Sequence, residues 1–334
     1  MRITALAGGT GGARFLRGLL ADLAGRASDG GQPHEVTVIG NTADDITLFG
    51  LRVCPDLDTV MYTLGGGIHE EQGWGRTDET FTVLEELRAY DVPPDWFGLG
   101  DRDIATHIVR TQMLRAGWPL SEVTHAVCER WRPGVRLLPM SDEPVETHVV
   151  VDDPQVPGGR HAVHFQEWWV RRHAEPKAHE FVFLGADRAR PAPGVLAAVA
   201  DADVVLLPPS NPVVSIGAVL QVPGLRDALG STGAPVVGVS PIIGGAPVRG
   251  MADACLTAIG VQTSASGVAA HYGARVAGGL LDGWLVDVTD ETAPAPAGVV
   301  QRSRPLLMTD VSTAAAIAGA ALDLALDLAR ELHR

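Results

Sequence analysis

Cysteine is scarce in this sequence of 334 residues: Cys54, Cys128 and Cys255 are widely spaced and odd in number. No CxxC or Cys/His zinc spacing surrounds them, so a disulfide framework and a structural zinc site are excluded, and reduced thiols in a cytosol are the simple reading. Basic charge is also short. Lys and Arg number 26 against 40 Asp and Glu, a formal net charge of −14. That balance argues against binding nucleic acid or an anionic membrane surface, while a local basic pocket is still allowed. Long apolar runs are missing too. The opening MRITALAGGTGG is too short and glycine-rich for a signal peptide, and no window holds about 18 uninterrupted apolar residues. A cytoplasmic protein that spans no membrane is the expectation. No repeat of fixed period is visible.

What is present is enough for a folded core: 46% hydrophobic and 20% charged residues exclude disorder for the chain as a whole. The 39 Gly and 23 Pro cluster at the ends of apolar runs, which points to many backbone-lined loops. An apolar run at 3–7 stops at Gly8. Phe15, Leu16, Leu19, Leu20 and Leu23 then recur at helical spacing, and 35–39 reads as a second strand, giving a parallel βαβ unit. Strands at 203–207 and 235–239, with a helix over 216–229 between them, repeat the pattern.

Between these halves the spacing predicts helices over 78–90, 103–116 and 121–131, with Thr77 and Ser121 as N-caps. Residues 147–151 and 161–172 read as β segments joined by a turn at 154–159, the second carrying Trp168 and Trp169 on opposite faces. Val311–Leu332 reads as an outer amphipathic helix with Asp323, Asp327, Arg330, Glu331 and Arg334 on one face. The expected fold class is α/β: a Rossmann-like, mostly parallel sheet flanked by helices, with a helical insertion and a small β extension. One interleaved domain, 1–334, is expected, its core at about 1–60 and 180–334 and its insertion at about 61–179.

Gly8-Gly9-Thr10-Gly11-Gly12 lies where the first strand meets a helix N-terminus, a place where unpaired N–H groups and the helix dipole can receive a phosphate. A tight structural turn is the plainer alternative. Arg14 stands where a dinucleotide motif needs its third glycine, and no GK[ST] completes a P-loop. Asn41-Thr42-Ala43-Asp44-Asp45 and Cys54-Pro55-Asp56-Leu57-Asp58-Thr59 place four carboxylates on one rim of the sheet. Crowded carboxylates repel and call for a cation such as Mg²⁺, unless they are solvated acids and helix caps.

In Gly98-Leu99-Gly100-Asp101-Arg102-Asp103 the acids suit caps, yet the preceding Asp95-Trp96-Phe97 puts aromatic surface beside charge, as a flat polar ligand would need. Pro208-Pro209-Ser210-Asn211-Pro212, Ser215 and Ser240-Pro241-Ile242-Ile243-Gly244 offer hydroxyls, an amide and N–H groups at the same sheet edge, where a nucleotide can be held. The histidines, His107, His148 and His164 among them, form no HExxH pair, and no GxSxG elbow or catalytic cysteine motif occurs.

Taken in order, GGTGG, NTADD, PDLDT, GDRD with Ala105-Thr106-His107, Leu138-Pro139-Met140-Ser141-Asp142, His164-Phe165-Gln166, PSNP and SPIIG resemble the 2-phospho-L-lactate transferase family of coenzyme F-420 biosynthesis over nearly the whole chain. The resemblance implies transfer of a phosphoenolpyruvyl or 2-phospholactyl group from a guanosine-diphospho donor to the ribityl hydroxyl of the deazaflavin Fo, with release of GMP and Mg²⁺ as the ion. The composition, rich in Ala, Gly and Arg and poor in Lys, is similar to that of high-GC actinobacterial members that use the phosphoenolpyruvyl donor.

On this resemblance Asp45 and Asp58 are assigned to the metal and to catalysis, Asp58 also orienting the ribityl hydroxyl. Gly9, Thr10, Gly11, Gly12, Ser210, Asn211, Ser215 and Gly244 are assigned to the nucleotide. Asp58, Gly98, Asp101 and Arg102 are assigned to the deazaflavin, while the 65–67 and 74–77 loops receive no chemistry. Both substrates are small molecules, and a homodimer is compatible with the sequence. Two other classes share parts of the pattern. A nucleotide-sugar-binding regulator resembles the same core without catalysing transfer, and an NAD-dependent dehydrogenase would use the glycine loop but lacks an acid/base pair for hydride transfer.

Overall fold

The computed structural model describes residues 1–28, 34–156 and 158–332. The chain opens with β1 (Arg2–Ala7), α1 (Gly9–Ser28) and β2 (Glu35–Gly40), the expected βαβ unit. A short hairpin, β3 (Ile46–Leu48) and β4 (Leu51–Val53), leads into α2 (Pro55–Leu64). Next come α3 (Thr82–Ala89), α4 (Asp101–Arg115) and α5 (Leu120–Trp131). Strand β5 (Arg136–Pro139) precedes an antiparallel trio, β6 (Glu146–Asp152), β7 (Arg160–His164) and β8 (Ala178–Leu184).

The second half runs α6 (Val195–Ala200), β9 (Val204–Leu207), α7 (Ile216–Val219), α8 (Leu225–Ser231) and β10 (Val236–Val239). A small hairpin, β11 (Ile242–Ile243) and β12 (Ala246–Pro247), is followed by α9 (Ala252–Ala258) and α10 (Ala265–Tyr272). The chain ends with β13 (Gly283–Val286), β14 (Val300–Ser303) and α11 (Val311–Leu332).

Seven parallel strands form the main sheet in the order β14-β13-β10-β9-β1-β2-β5. The central strands β9, β10 and β13 are short runs buried on both faces, as helices on either side require, whereas the edge strand β14, Val-Gln-Arg-Ser, is largely exposed. In β9, Val204 and Leu206 join the core under α1 and α11, and Val205 and Leu207 join the core on the other face. The chain moves outward from β1 to β2 and β5, then returns to the other side of β1 with β9. The order therefore reverses between β1 and β9, and ligands of open α/β sheets bind outside the carboxyl ends of the strands at such a point. Strand β5 comes from the span expected as an insertion and serves as an edge of the core sheet.

Several local expectations are corrected. Helix α3 starts at Thr82, because the Asp101 carboxylate accepts the Thr82 and Val83 N–H groups at 3.1 and 2.9 Å, so Thr77 caps nothing there. Ser121 lies inside α5, where Asp142 accepts its N–H and hydroxyl at 2.6 and 3.0 Å. The expected helix over 216–229 breaks into α7 and α8 at Pro223-Gly224, Gly224 having φ +88°. The segment after His164 is a π-helical turn, Glu167–Arg171, in place of strand. Trp168 is nonetheless fully buried, its Nε1 donating to Pro176 O at 2.8 Å. The 154–159 turn does join β6 to β7, although Pro157 within it lies outside the described residues.

Helix α11 is long and apolar enough to cross a membrane by length and composition. Its apolar face instead packs on α1 and the sheet through Ile317, Ala318, Ala321, Leu322 and Ala325. Gly18 of α1 lies directly against the Ala314 backbone, so a larger residue there would push the helices apart. Asp323 and Asp327 face outward to Arg26 and Arg302, and Arg334 lies outside the described residues.

Candidate active site

The glycine loop is shaped by what packs on it. A Cβ at Gly11 would stand 2.5 Å from Pro209 O, and one at Gly12 would stand 2.6 Å from Ser210 Oγ. The loop after β9 therefore closes onto the first turn of α1. Buried Ser210 fastens the two, accepting the Gly8 N–H at 3.3 Å and donating to Gly8 O at 2.9 Å. Ser215 is buried beside Gly8, while Gly9 has φ +64° and leaves space that only the Asp56 carboxylate approaches. Asn211 is committed to its own loop: Oδ1 accepts the Val213 and Val214 N–H groups at 2.9 and 3.2 Å, and Nδ2 donates to Cys255 Sγ. On the far rim, Gly244 (φ +56°) donates its N–H to Asp290 at 2.9 Å.

The four acids of the rim meet two fates. Asp45 is paired with Arg52 at 3.1 Å. Asp58 is gripped by Arg110 through both carboxylate oxygens, one of these bonds being 3.0 Å. Asp44 and Asp56 have no such cation among the described residues. Asn41 Nδ2 donates to Asp56 Oδ2 at 2.9 Å, and Asp44 and Asp56 are both buried. Burial pushes the Asp56 carboxyl up to about 6, against the pull of Asn41 and the Gly9 N–H. Burial and then the Asp56 charge push Asp44 well above the carboxylate range. Burial also raises Asp45 to about 6 despite Arg52. Asp44 Oδ1 and Asp45 Oδ1 are buried without a hydrogen-bond partner among the described residues. Such oxygens are costly unless something cationic reaches them.

Behind Asp58 a buried polar network ties α2 to α4. Arg110 Nη1 lies 3.0 Å from His107 Nδ1, His107 Nε2 lies 3.3 Å from Asp103 Oδ2, and the Tyr62 hydroxyl donates to Asp103 at 2.6 Å. Asp58, Asp103 and His107 are close enough together to hold a metal ion, but Arg110 already supplies their positive charge. The N-terminus of α4 is capped by Glu79, which accepts the Arg102 and Asp103 N–H groups at 2.8 Å each.

Across the glycine turn lies the segment 69–73. Thr10 donates to Gly73 O at 2.9 Å, Arg249 donates to Gln72 O and Glu71 O at 2.8 and 2.9 Å, and Arg17 pairs with Glu70. Beside it a cavity of about 380 Å³ opens between α1 and the start of α11, lined by Arg14, Arg17, Glu70 and Asp310 among others.

Residues 3–312 match a family model described as 2-phospho-L-lactate transferase CofD. The chain belongs to the CofD family. A phosphoenolpyruvate transferase from Thermobifida fusca is 68% identical over 98% of this chain and 99% of its own length. Those from Kitasatospora aureofaciens and Mycolicibacterium smegmatis are 63% and 58% identical, each over 97% of this chain and 98% and 99% of their own. A solved member of the UPF0052 family from Bacillus halodurans has a TM-score of 0.60 at 18% identity, covering 96% of this chain and 98% of that one, a likeness of fold alone.

Within this CofD-family chain the structure brings Gly9, Thr10, Gly11, Gly12, Ser210, Ser215, Asp45 and Asp58 to the sheet edge around the switch point. Asp101 is engaged elsewhere, because its carboxyl caps α3 and is held below the usual range by the Thr80 hydroxyl and by those N–H groups. Arg102 is half exposed, 3.9 Å from Asp78, and Gly98 lies beside Phe81. Sequence reading missed Arg52, Arg110, Glu79 and the 69–73 segment. One signal was available for Arg110: Asp103, His107 and Arg110 recur at i, i+4, i+7 and so share one face of α4.

Proposed function

We propose that this chain is a phosphoenolpyruvate transferase of coenzyme F-420 biosynthesis, moving a phosphoenolpyruvyl group from a guanosine-diphospho donor to the ribityl hydroxyl of Fo and releasing GMP. Relatives named phosphoenolpyruvate transferase that match end to end at 57–68% identity support the donor. The structural observation that carries the chemistry is the pair Asp44 and Asp56. Two buried carboxylates with no cationic partner among the described residues, at the edge where a diphosphate would approach, form a site suited to a divalent ion.

Mg²⁺ suits these all-oxygen ligands, and Asp44 and Asp56 would hold it, with the unpartnered oxygens of Asp44 and Asp45 free to join. When bound, it screens the diphosphate and the departing GMP. Asp44 and Asp56 thereby take the place of Asp58 in the expected pair, because Arg110 already holds both oxygens of Asp58, while Asp45, paired with Arg52 through Oδ2, keeps Oδ1 for the ion. The N–H groups of Gly9 to Gly12, with Thr10, Ser215 and Gly244, line the phosphate path. Ser210 and Asn211 serve it by holding their loop in shape. Arg102 and the backbone at Gly98 flank the deazaflavin side.

Titration with Fo, followed by deazaflavin fluorescence, with GMP measured after donor and Mg²⁺ are added, tests this reading. Saturable Fo binding and one GMP per Fo consumed are expected. Nucleotide binding without Fo binding would overturn it in favour of a regulator.

A further inference from the structure

Three successive carbonyls of the acidic loop each accept one hydrogen bond from the small antiparallel sheet or the turn that follows it. Ala43 O accepts the Thr147 N–H at 2.6 Å, Asp44 O accepts Gln166 Nε2 at 3.4 Å, and Asp45 O lies 3.3 Å from His164 Nε2. The Gln166 N–H donates to His164 Nδ1 at 3.1 Å, which fixes the imidazole tautomer and leaves its proton on Nε2, facing Asp45 O. His148, the cross-strand partner of His164, packs edge-to-face on it with ring centroids 5.5 Å apart, and its own Nε2 lies 3.1 Å from Glu146. Gln166 is buried.

The consequence follows from peptide planarity. Each carbonyl belongs to a rigid plane, and the three planes pinned here are those on both sides of Asp44 and on both sides of Asp45. Holding them fixes φ and ψ of both residues and hence the direction in which each Cβ leaves the chain. A carboxylate on such a backbone has little left to search but its own rotamers, and this preorganisation makes a short acidic loop a defined ligand set.

We propose that His164 and Gln166 are positioning residues that aim the Asp44 and Asp45 carboxylates at the divalent ion, an inference that rests on the metal reading above. The small sheet is then the support of the acidic loop as well as a cover for the core.

The probe is Mn²⁺, its binding followed by electron paramagnetic resonance in the presence of GDP, with thermal unfolding of each variant measured alongside. Gln166→Met keeps the length and removes the donor; His164→Leu removes it, while His164→Gln restores one. Gln166→Met and His164→Leu are expected to weaken Mn²⁺ binding at least tenfold with little change in unfolding temperature, and His164→Gln to stay within threefold of the parent. The two positions are read independently, so either decides if a variant at the other fails to fold. Asp44→Asn separates the two ways of failing. If it loses Mn²⁺ while Gln166→Met and His164→Leu bind as the parent does, the positioning role is overturned alone. If Asp44→Asn also binds normally, the metal reading falls and the inference with it.

Discussion

Asn41 and Asp56 are joined by one hydrogen bond, Nδ2 to Oδ2 at 2.9 Å, which ties the loop after β2 to the first turn of α2. The same amide reaches Val214 O at 3.3 Å, so three loops of the switch point meet on one side chain. This junction is what brings Asp56 under the glycine turn and beside Asp44.

Asp56→Asn removes one of two repelling buried charges while keeping an oxygen for the Gly9 N–H. Without Mg²⁺ the variant is expected to be more stable than the parent at pH 7. The gain should be about 1–3 kcal/mol, since each pKa unit corresponds to about 1.4 kcal/mol. Transfer activity should fall at least a hundredfold. Urea unfolding with and without Mg²⁺, alongside the rate, checks both expectations.

The raised carboxyls also set a pH dependence. In the folded chain Asp45 and Asp56 bind protons up to about pH 6, whereas in the unfolded chain they release them near the ordinary value of 3.8. Between those values the folded state holds more protons, so stability without Mg²⁺ falls as pH rises from about 4 to 6. Half-buried His164, its pKa lowered by burial, works in the opposite sense below its ordinary range. The difference between the parent and Asp56→Asn isolates the carboxyl part. Unfolding temperatures taken every half pH unit should show that difference growing up to pH 6 and flat above it.

Arg110 is nearly fully buried and holds both oxygens of Asp58. Arg110→Met strands that carboxylate and should cost about 3–5 kcal/mol, whereas adding Asp58→Asn should recover most of the loss. Chemical denaturation of the single and double variants decides this. A double variant no more stable than Arg110→Met alone would contradict it.

Asn211 is committed to closing its loop, so Asn211→Ala should lower stability by about 1 kcal/mol, as loss of a capping oxygen does. GDP affinity should fall with it because the loop loses its shape. Asn211→Asp keeps the capping oxygen and should retain the stability. Equal unfolding midpoints for Asn211→Ala and the parent would return Asn211 to a direct role with the nucleotide.

Four of the seven strands of the main sheet were legible, at 3–7, 35–39, 203–207 and 235–239, because they are short apolar runs ending in Gly or Pro, whereas β5, β13 and β14 were not, β14 being the polar and exposed Val-Gln-Arg-Ser. Four acids on one rim could also be read from NTADD and PDLDT. Their division into neutralised and unneutralised pairs could not, because Arg52 reaches Asp45 only across the folded β3–β4 hairpin, and Arg110 reaches Asp58, 52 residues away, only once the side chains of α4 meet those of α2. Asp101 looked like a ligand or a cap of its own helix, and it caps α3 instead, a partner 18 or 19 residues away that no local pattern displays. Trp168 was legible as core but not as part of a π-helical turn, since adjacent aromatics suit a strand equally well.

The mass of the product decides acceptor, donor and ion together. The purified chain, Fo, Mg²⁺ and an equimolar mixture of enolpyruvyl- and lactyl-diphosphoguanosine are incubated, and the deazaflavin fraction is weighed by mass spectrometry. Fo bearing a phosphoenolpyruvyl group is expected as the main product, absent in a chelator and from Asp44→Asn. Fo recovered unchanged from the parent chain, or carrying only the 2-phospholactyl group, would contradict the proposed transfer.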